Sequence, residues 1–226
     1  MQKVLSIIIV FFLFFGCKSD YYVKFQKNKI LKIGSYNMKI FGPTKVSRIN
    51  TLKVLAKIAS NYDLLALQEI GSNNSNASDE TCIESMDAYL EKINEVSGGD
   101  NYTYVRGNQY AFVYRKESIK NVYYSLYTET QTSSYQPLIV FFKAQQGNFD
   151  FSIISIHTSP DEAEKEIPAL KIVMNEISSI YGDPDVICTG DFNADGSYYT
   201  EGNNGHLSGF PQNTYITVIP NSADTT

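Results

Sequence analysis

Apolar segments of strand length recur along this chain, and five polar residues stand where such segments end: Asn37, Glu69, His157, Asp191 and Asn193. In α/β architectures, functional side chains gather at the carboxyl ends of strands. Unrelated loop residues would not be expected to follow this rule so consistently. The pattern therefore predicts an α/β fold in which these five residues lie at one rim of the sheets.

The segment 186–195 shows this pattern most clearly, because an apolar run there ends in Gly190 and is followed by Asp191 and Asn193. Side chains alternate along an extended chain, so Asp191 and Asn193 are predicted to share one face while Phe192 points toward the core. Gly190 has no Cβ and allows close approach of another backbone. A carboxylate and an amide at a strand end suit a hydrated hard cation or a phosphate. An Asx-rich turn after a strand is the alternative.

Composition indicates one folded domain and limits the partners. The chain has 226 residues, of which 43% are hydrophobic, 13% aromatic and 19% charged, so it has enough apolar surface for a sizeable core and is not disordered. Its net charge of −5 provides no general attraction to a polyanion. A phosphodiester substrate would therefore require bound divalent cations and local Lys or Arg residues.

The N-terminus has the pattern of an export signal. Lys3 precedes an apolar segment from Val4 to Phe15 that only Ser6 interrupts, and Gly16 and Cys17 follow. The apolar segment is short for a membrane span but suits a signal peptide. The end of the segment resembles a bacterial lipoprotein cleavage site, at which Cys17 would be lipidated.

We therefore expect residues 1–17 to be a lipoprotein signal with its lipidation site, 18–28 a tether, and 29–226 the folded domain. The protein would be exported and lipid-anchored to a bacterial envelope membrane, on the periplasmic side or at the cell surface. An ordinary signal peptide with an incidental cysteine is the alternative.

Hydrophobic periodicity predicts alternating helices and strands. Helices are expected at 44–62, at 79–96 and up to Tyr181, with Ser159 as a cap and Pro168 causing a kink or a short first turn. Cys82 and Cys188 are expected to be buried free thiols, and a disulfide, which export would permit, is the alternative. The predicted strands are 30–38, 63–69, 102–106, 110–114, 119–128, 137–143, 149–157, 185–190 and 214–219.

Four ordered motifs carry a family resemblance: GSYNMKIFG at 34–42, LQEI at 67–70, SIHTSP at 155–160 and GDFNAD at 190–195. Three further segments are YAFVYR at 110–115, Ser197-Tyr198, and PNSADTT at 220–226. Together they resemble the endonuclease/exonuclease/phosphatase superfamily and, within it, the deoxyribonuclease I group. The resemblance implies a four-layer sandwich of two mixed β-sheets flanked by helices. It also implies endonucleolytic hydrolysis of DNA with Mg²⁺ or Mn²⁺, by a protein expected to be a monomer without a protein partner.

The resemblance also implies roles for individual residues. Glu69, with Asn37 close by, would be the metal position, where a cation polarises a phosphate oxygen. His157 would be one member of a histidine pair in acid–base catalysis, which Asp191 would orient. Asn193 would donate to the phosphate without adding negative charge. The substrate-binding candidates are Lys39, Tyr198 and Tyr135.

Several positions depart from the family pattern. Asn108 stands where a glutamate of the family hydrogen-bonds the histidine equivalent to His157, so we expect Asn108 to orient His157 without stabilising an imidazolium by charge. Tyr135 and Gly71 stand where the family has arginines that contact phosphate and groove, which should weaken DNA binding. Asp224 resembles a ligand of a structural Ca²⁺.

The resemblance stops at Thr226, before the family's transition-state aspartate and its Asp-His dyad. His206 does not match the second histidine of the pair. We therefore expect little or no hydrolysis from a chain that is a truncated form or a decayed relative. Two alternative functions remain open: a sphingomyelinase-like lipid phosphodiesterase, and a non-catalytic surface binding module.

Overall fold

The computed structural model describes residues 6–8, 22–25, 29–71, 79–127, 136–194, 199, 210–211 and 214–219. Its helices are α1 (Pro43–Val46), α2 (Ile49–Ala59), α3 (Asp79–Ser97) and α4 (Ala163–Tyr181). Its strands are β1 (Ser6–Ile8), β2 (Tyr22–Phe25), β3 (Lys29–Phe41), β4 (Leu64–Ile70), β5 (Tyr102–Gly107), β6 (Tyr110–Arg115), β7 (Ile119–Leu126), β8 (Leu138–Ala144), β9 (Asp150–His157), β10 (Val186–Asp191) and β11 (Tyr215–Thr217).

The strands form two mixed sheets. One has the order β2-β3-β4-β6-β5, in which only β3 and β4 pair in parallel. The other has the order β11-β1-β10-β9-β8-β7, in which β9, β10, β1 and β11 run parallel and β7 and β8 pair antiparallel. The antiparallel pairs β5–β6 and β8–β9 follow short connections, as the sequence predicted.

Three apolar clusters separate four layers. The central cluster joins the sheets, for example through Ile33 and Ala66 of one sheet and Val140 and Ile153 of the other. Burial of this surface is the main favourable contribution to folding. Further apolar contacts pack α2 and α3 on the five-stranded sheet and α4 on the six-stranded sheet. The predicted four-layer sandwich of two mixed sheets flanked by helices is therefore confirmed.

Two helix predictions require correction. The segment predicted as one helix over 44–62 forms two, because Arg48 has φ −85° and ψ 81°, outside the helical region. Ser159 does not cap α4, which begins at Ala163. The backbone N–H of Ser159 instead donates to Glu166 Oε2 at 2.9 Å. Pro168 lies inside α4 as its sixth residue, where its missing N–H removes one helical hydrogen bond.

The segment predicted to be a signal peptide contributes a short strand in this structure. Ser6–Ile8 pairs in parallel with Ile187 and Cys188 of β10 on one side and with β11 on the other. Cleavage after residue 16 would remove this strand. β11 would then lose the strand with which it pairs in this structure. Among the described residues, no helix is both long and apolar enough to span a membrane.

Candidate active site

The ends of four strands bring the predicted site residues together at one rim of the sandwich. Asn37 lies on β3, Glu69 on β4, His157 at the end of β9 and Asp191 at the end of β10. The two amide hydrogens of Asn37 bridge the sheets, since its Nδ2 donates to Glu69 Oε1 at 2.7 Å and to Asp191 Oδ2 at 2.9 Å. One amide therefore holds two carboxylates side by side and offsets their mutual repulsion.

His157 faces both of these carboxylates. Its Nε2 lies 3.9 Å from Glu69 Oε1 and 3.9 Å from Asp191 Oδ2, a distance that an electrostatic contact tolerates and a direct hydrogen bond does not. The side chains of these three residues are only 11–13% exposed. Water therefore screens their interactions weakly, and their charges act strongly on one another and on any bound ion.

Gln109, and not Asn108, contacts the second ring nitrogen of His157. Gln109 Oε1 lies 3.2 Å from His157 Nδ1, whereas Asn108 lies in the β5–β6 turn and its Nδ2 approaches Gln136 Oε1 at 3.5 Å. The prediction that Asn108 orients His157 is therefore wrong by one residue. Asn108 occupies the turn with a φ of 51°, and its side chain approaches Gln136 rather than His157.

Left-handed backbone conformations concentrate around this rim. In the described part of the chain, five non-glycine residues have positive φ: Lys39, Ile40, Glu69, Asn108 and Asn193. Such conformations cost of order 1–3 kcal/mol each and persist only where the surrounding structure enforces them. They cluster at functional sites. The set is evidence for a functional rim that is independent of the side-chain types.

The backbone of Glu69 also corrects a prediction about side-chain direction. Strict alternation along the predicted strand 63–69 would place Leu65, Leu67 and Glu69 on one face, but Leu65 and Leu67 pack toward the helices. Glu69 has a φ of 59°, and its carboxylate instead meets Asn37. The strict period of two fails at this residue because a left-handed residue breaks the pleat.

Contacts between the ends of β9 and β10 fix the 190–193 segment. Asp191 accepts at Oδ1 from the backbone N–H of Asn193 at 3.1 Å, and the Asn193 amide donates to the Thr158 carbonyl at 2.8 Å. The Thr158 hydroxyl in turn donates to the Phe192 carbonyl. As predicted, Phe192 is buried in the core. The Asn193 amide thus already donates one hydrogen bond within the protein.

Other candidate residues have different outcomes. Lys39 is exposed at the rim, where its backbone N–H donates to Asn37 Oδ1 at 2.8 Å. Cys82 and Cys188 are buried and free, as predicted, and burial raises the pKa of the Cys188 thiol. The remaining candidates, Cys17, Tyr135, Tyr198 and Asp224, lie outside the described residues.

Sequence reasoning missed the residues that support the site from behind. Gln109 contacts His157, and the Tyr110 hydroxyl accepts from the His157 backbone N–H at 3.0 Å. The backbone N–H of Ile40 donates to Glu69 Oε2 at 2.9 Å. Ile40 and Tyr110 lie within the GSYNMKIFG and YAFVYR motifs, and Gln109 directly precedes the second, but nothing in the sequence indicated these contacts.

The oxygen donors of the site suit a hard divalent cation. Glu69 and Asp191 provide carboxylates, and Mg²⁺ is usually bound by one or two carboxylates together with water and phosphate oxygens. Within the described ranges, no set of three or more His, Cys, Asp or Glu side chains stands in a metal-holding arrangement. The donors therefore fit a cation held by one or two side chains and do not form a closed cage.

Comparison with known proteins agrees with this geometry. The model of the Endonuclease/Exonuclease/phosphatase family matches residues 34–220. Deoxyribonuclease-1 of Oryctolagus cuniculus is 30% identical over 212 residues, covering 87% of this chain and 72% of that protein. Deoxyribonuclease-1 of Homo sapiens is 31% identical over 207 residues with the same coverage.

Solved structures share the fold. An endonuclease/exonuclease/phosphatase family protein from Bacteroides thetaiotaomicron superposes with a TM-score of 0.50 at 15% identity, covering 74% of this chain and 65% of that one. A mannosyl-6-phosphatase from the same organism gives a TM-score of 0.50 at 16% identity, covering 74% of this chain and 67% of that one. At these identities the likeness concerns the fold alone.

Proposed function

The chain belongs to the endonuclease/exonuclease/phosphatase family, and we propose that it is a divalent-metal-dependent phosphodiesterase that cleaves DNA internally. The observation that carries this proposal is the contact of Asn37 with both Glu69 and Asp191, opposite His157. The proteins named deoxyribonuclease-1 that match at 30% and 31% identity support DNA as the substrate class.

Glu69 and Asn37 would hold the cation, Mg²⁺ or Mn²⁺, with Asp191 nearby. When bound, the cation polarises a phosphate oxygen and neutralises negative charge that develops during hydrolysis. It also offsets the chain's net charge of −5, which otherwise opposes approach of a polyanion. A structural Ca²⁺ held with the help of Asp224 is a further part of the proposal.

The protein groups divide the remaining chemistry. His157 would carry a proton at Nε2, while Gln109 at Nδ1 fixes the ring orientation. Asp191 would hold Asn37 in place, and its Oδ2 lies 3.9 Å from His157 Nε2. Lys39 offers an exposed ammonium at the rim for a substrate phosphate, and Asn193 is proposed as a second phosphate contact. Tyr135 and Tyr198 are proposed as further DNA contacts.

We expect turnover to be low. Acid–base catalysis by a pair of histidines requires a second imidazole. His157 is the one histidine that the described part of the chain brings to this rim. Gln109 also supplies a neutral acceptor to His157, so it stabilises an imidazolium less than a carboxylate would.

The test is nicking of a supercoiled plasmid with and without Mg²⁺ or Mn²⁺, alongside hydrolysis of sphingomyelin vesicles. Wild type should nick the plasmid slowly and only with metal, and Glu69→Gln should lower the rate by about 10–100-fold. Glu91→Gln, on the exposed face of α3, is the charge-matched control and should match wild type.

Three outcomes would contradict the proposal. Cleavage of sphingomyelin but not DNA would identify a lipid phosphodiesterase. The absence of arginines at Gly71 and Tyr135 favours this alternative, because the family's arginines there contact DNA. DNA binding without cleavage by any variant would identify a binding module. Nicking that is equally fast in Glu69→Gln would show that this site is not responsible.

We also propose that the protein is exported, lipidated at Cys17 and anchored to an envelope membrane as a monomer. Mass spectrometry of the N-terminal peptide from the source membrane fraction should find a lipidated Cys17, and Cys17→Ala should abolish membrane retention. A mature chain that still contains residues 1–16 would contradict this.

A further inference from the structure

Lys45 lies beneath the loop that carries Lys39 and Ile40. Its Nζ donates to the Met38 carbonyl at 2.6 Å and to the Lys39 carbonyl at 2.5 Å. These carbonyls belong to the irregular end of β3, where the register with β4 shifts between Asn37 and Phe41. One ammonium therefore binds two consecutive carbonyl groups.

The backbone of this loop is strained. Lys39 has a φ of 47° and Ile40 a φ of 60°. The second value is unusual for a β-branched residue, whose side chain crowds the left-handed conformation. Such residues cost of order 1–3 kcal/mol each and need external support to persist. The two charge-assisted hydrogen bonds from Lys45 supply support at this position, since they are stronger than neutral ones.

The strained loop in turn holds the two residues proposed to bind the cation. The Ile40 N–H donates to Glu69 Oε2 at 2.9 Å, and the Lys39 N–H donates to Asn37 Oδ1 at 2.8 Å. With the bond between Asn37 Nδ2 and Glu69 Oε1, both ends of Asn37 and both oxygens of Glu69 are fixed. If the loop relaxed to an extended conformation, both backbone donors would be displaced.

We propose that Lys45 is a positioning residue of the active site, which acts on Glu69 and Asn37 through the 38–40 backbone. The inference rests on the proposed function for its catalytic consequence, but the structural link stands on the hydrogen bonds alone. Electrostatics are consistent with it: burial lowers the pKa of Lys45, and the nearby Glu69 carboxylate opposes that effect.

The direct test measures hydrogen exchange of the Ile40 amide in wild type, Lys45→Met and Lys45→Arg, without substrate. In Lys45→Met the protection factor of the Ile40 amide should fall at least tenfold, because the loop no longer holds this N–H against Glu69. Lys45→Arg keeps a charged group with several donors and should retain most of the protection. Lys53→Met, which removes an exposed lysine of α2, is the control and should leave Ile40 unchanged.

Two further readouts connect the loop to the site. The affinity for Mn²⁺ should fall about 10–100-fold in Lys45→Met, in the range found when residues that orient metal ligands are removed. In the plasmid assay kcat should fall by a similar factor with a smaller change in KM, because Lys45 does not reach the substrate. Should Lys45→Met not fold, Lys45→Gln, which retains one donor, is measured in the same way.

The outcomes separate this inference from the proposed function. If wild type does not nick DNA, the proposed function fails, yet loss of Ile40 protection in Lys45→Met still supports the positioning role. If Ile40 protection and Mn²⁺ affinity in Lys45→Met equal those of Lys53→Met, the positioning role of Lys45 is overturned whatever the activity.

Discussion

At the scale of single residues, the site depends on amides placed where charged groups would otherwise stand. Asn37 bridges two carboxylates and Gln109 contacts His157. The Nε2 atom of Gln109 is buried and has no hydrogen-bond partner within the described part of the chain. A buried donor left unpaired is costly, so this position is not optimised for stability.

Replacing Gln109 by Glu should raise the turnover of plasmid nicking several-fold. The change removes the unpaired Nε2 and places a carboxylate against His157 Nδ1, where it stabilises an imidazolium. Asn108→Glu adds the same charge one residue earlier, on the turn that points toward Gln136, and should have little effect. A larger gain from Asn108→Glu would show that the sequence-based assignment was right and that the Gln109 contact is unimportant.

At the scale of elements, the pairing of β9 with β10 decides where the site residues stand. Their register places Asp191 beside His157 and Gly190 beside Ile156. Gly190 has a φ of 144°, and a Cβ there would lie 1.9 Å from the Ile156 carbonyl oxygen. This contact explains the glycine before Asp191 by backbone approach, as its lack of a side chain suggested.

Gly190→Ala should destabilise the fold by about 3–5 kcal/mol, because the clash is with backbone and cannot be relieved by a side-chain rotation. Gly182→Ala is the control. Gly182 ends α4 at a φ of 65° with open space around it, so that change should cost about 1–2 kcal/mol. Urea unfolding of both variants measures the difference, and equal midpoints would contradict the argument.

Sequence reasoning succeeded for the regular strands and failed where the backbone leaves the extended conformation. β9 and β10 and their polar ends were predictable because both strands are almost fully buried and form short, mostly apolar runs. The direction of Glu69 and the role of Gln109 were not, because both depend on left-handed residues that give no hydrophobic signal. The role of Lys45 could not be predicted from the sequence either, because Lys45 contacts backbone carbonyl groups, which every residue has.

At the scale of the whole molecule, acidic charge is concentrated at the end of β9 that lies opposite the site. Asp150 begins β9, and Asp183 and Asp185 precede β10. Burial raises the pKa of Asp183 above its ordinary 3.8, and the charges of Asp185 and Asp150 add to this, while the backbone N–H of Asp185 opposes it. The folded protein therefore holds the Asp183 proton more tightly than the unfolded chain does.

The sign of this effect predicts a pH-dependent gain from Asp183→Asn. Because the folded state binds the proton more tightly, the ionised carboxylate destabilises the fold once the pH exceeds the raised pKa. Asn keeps the oxygen that accepts from Asp185 N–H and removes the charge. The melting temperature at pH 7 should rise by about 1–2 °C, allowing for partial exposure. The gain should vanish below about pH 3.8; a gain that persists there would contradict this cause.

The central claim is that both sheets contribute to one cation site, and a double-mutant cycle on Mn²⁺ affinity tests it most directly. Glu69→Gln changes the five-stranded sheet and Asp191→Asn the six-stranded sheet. Each change should weaken Mn²⁺ binding by about 10–100-fold. The Mn²⁺ affinity of the double variant should be little lower than that of the single variant that binds Mn²⁺ more weakly. The reason is that the effects of residues that act as one unit are not additive. Losses that simply multiply, or no loss in either single variant, would contradict a shared site.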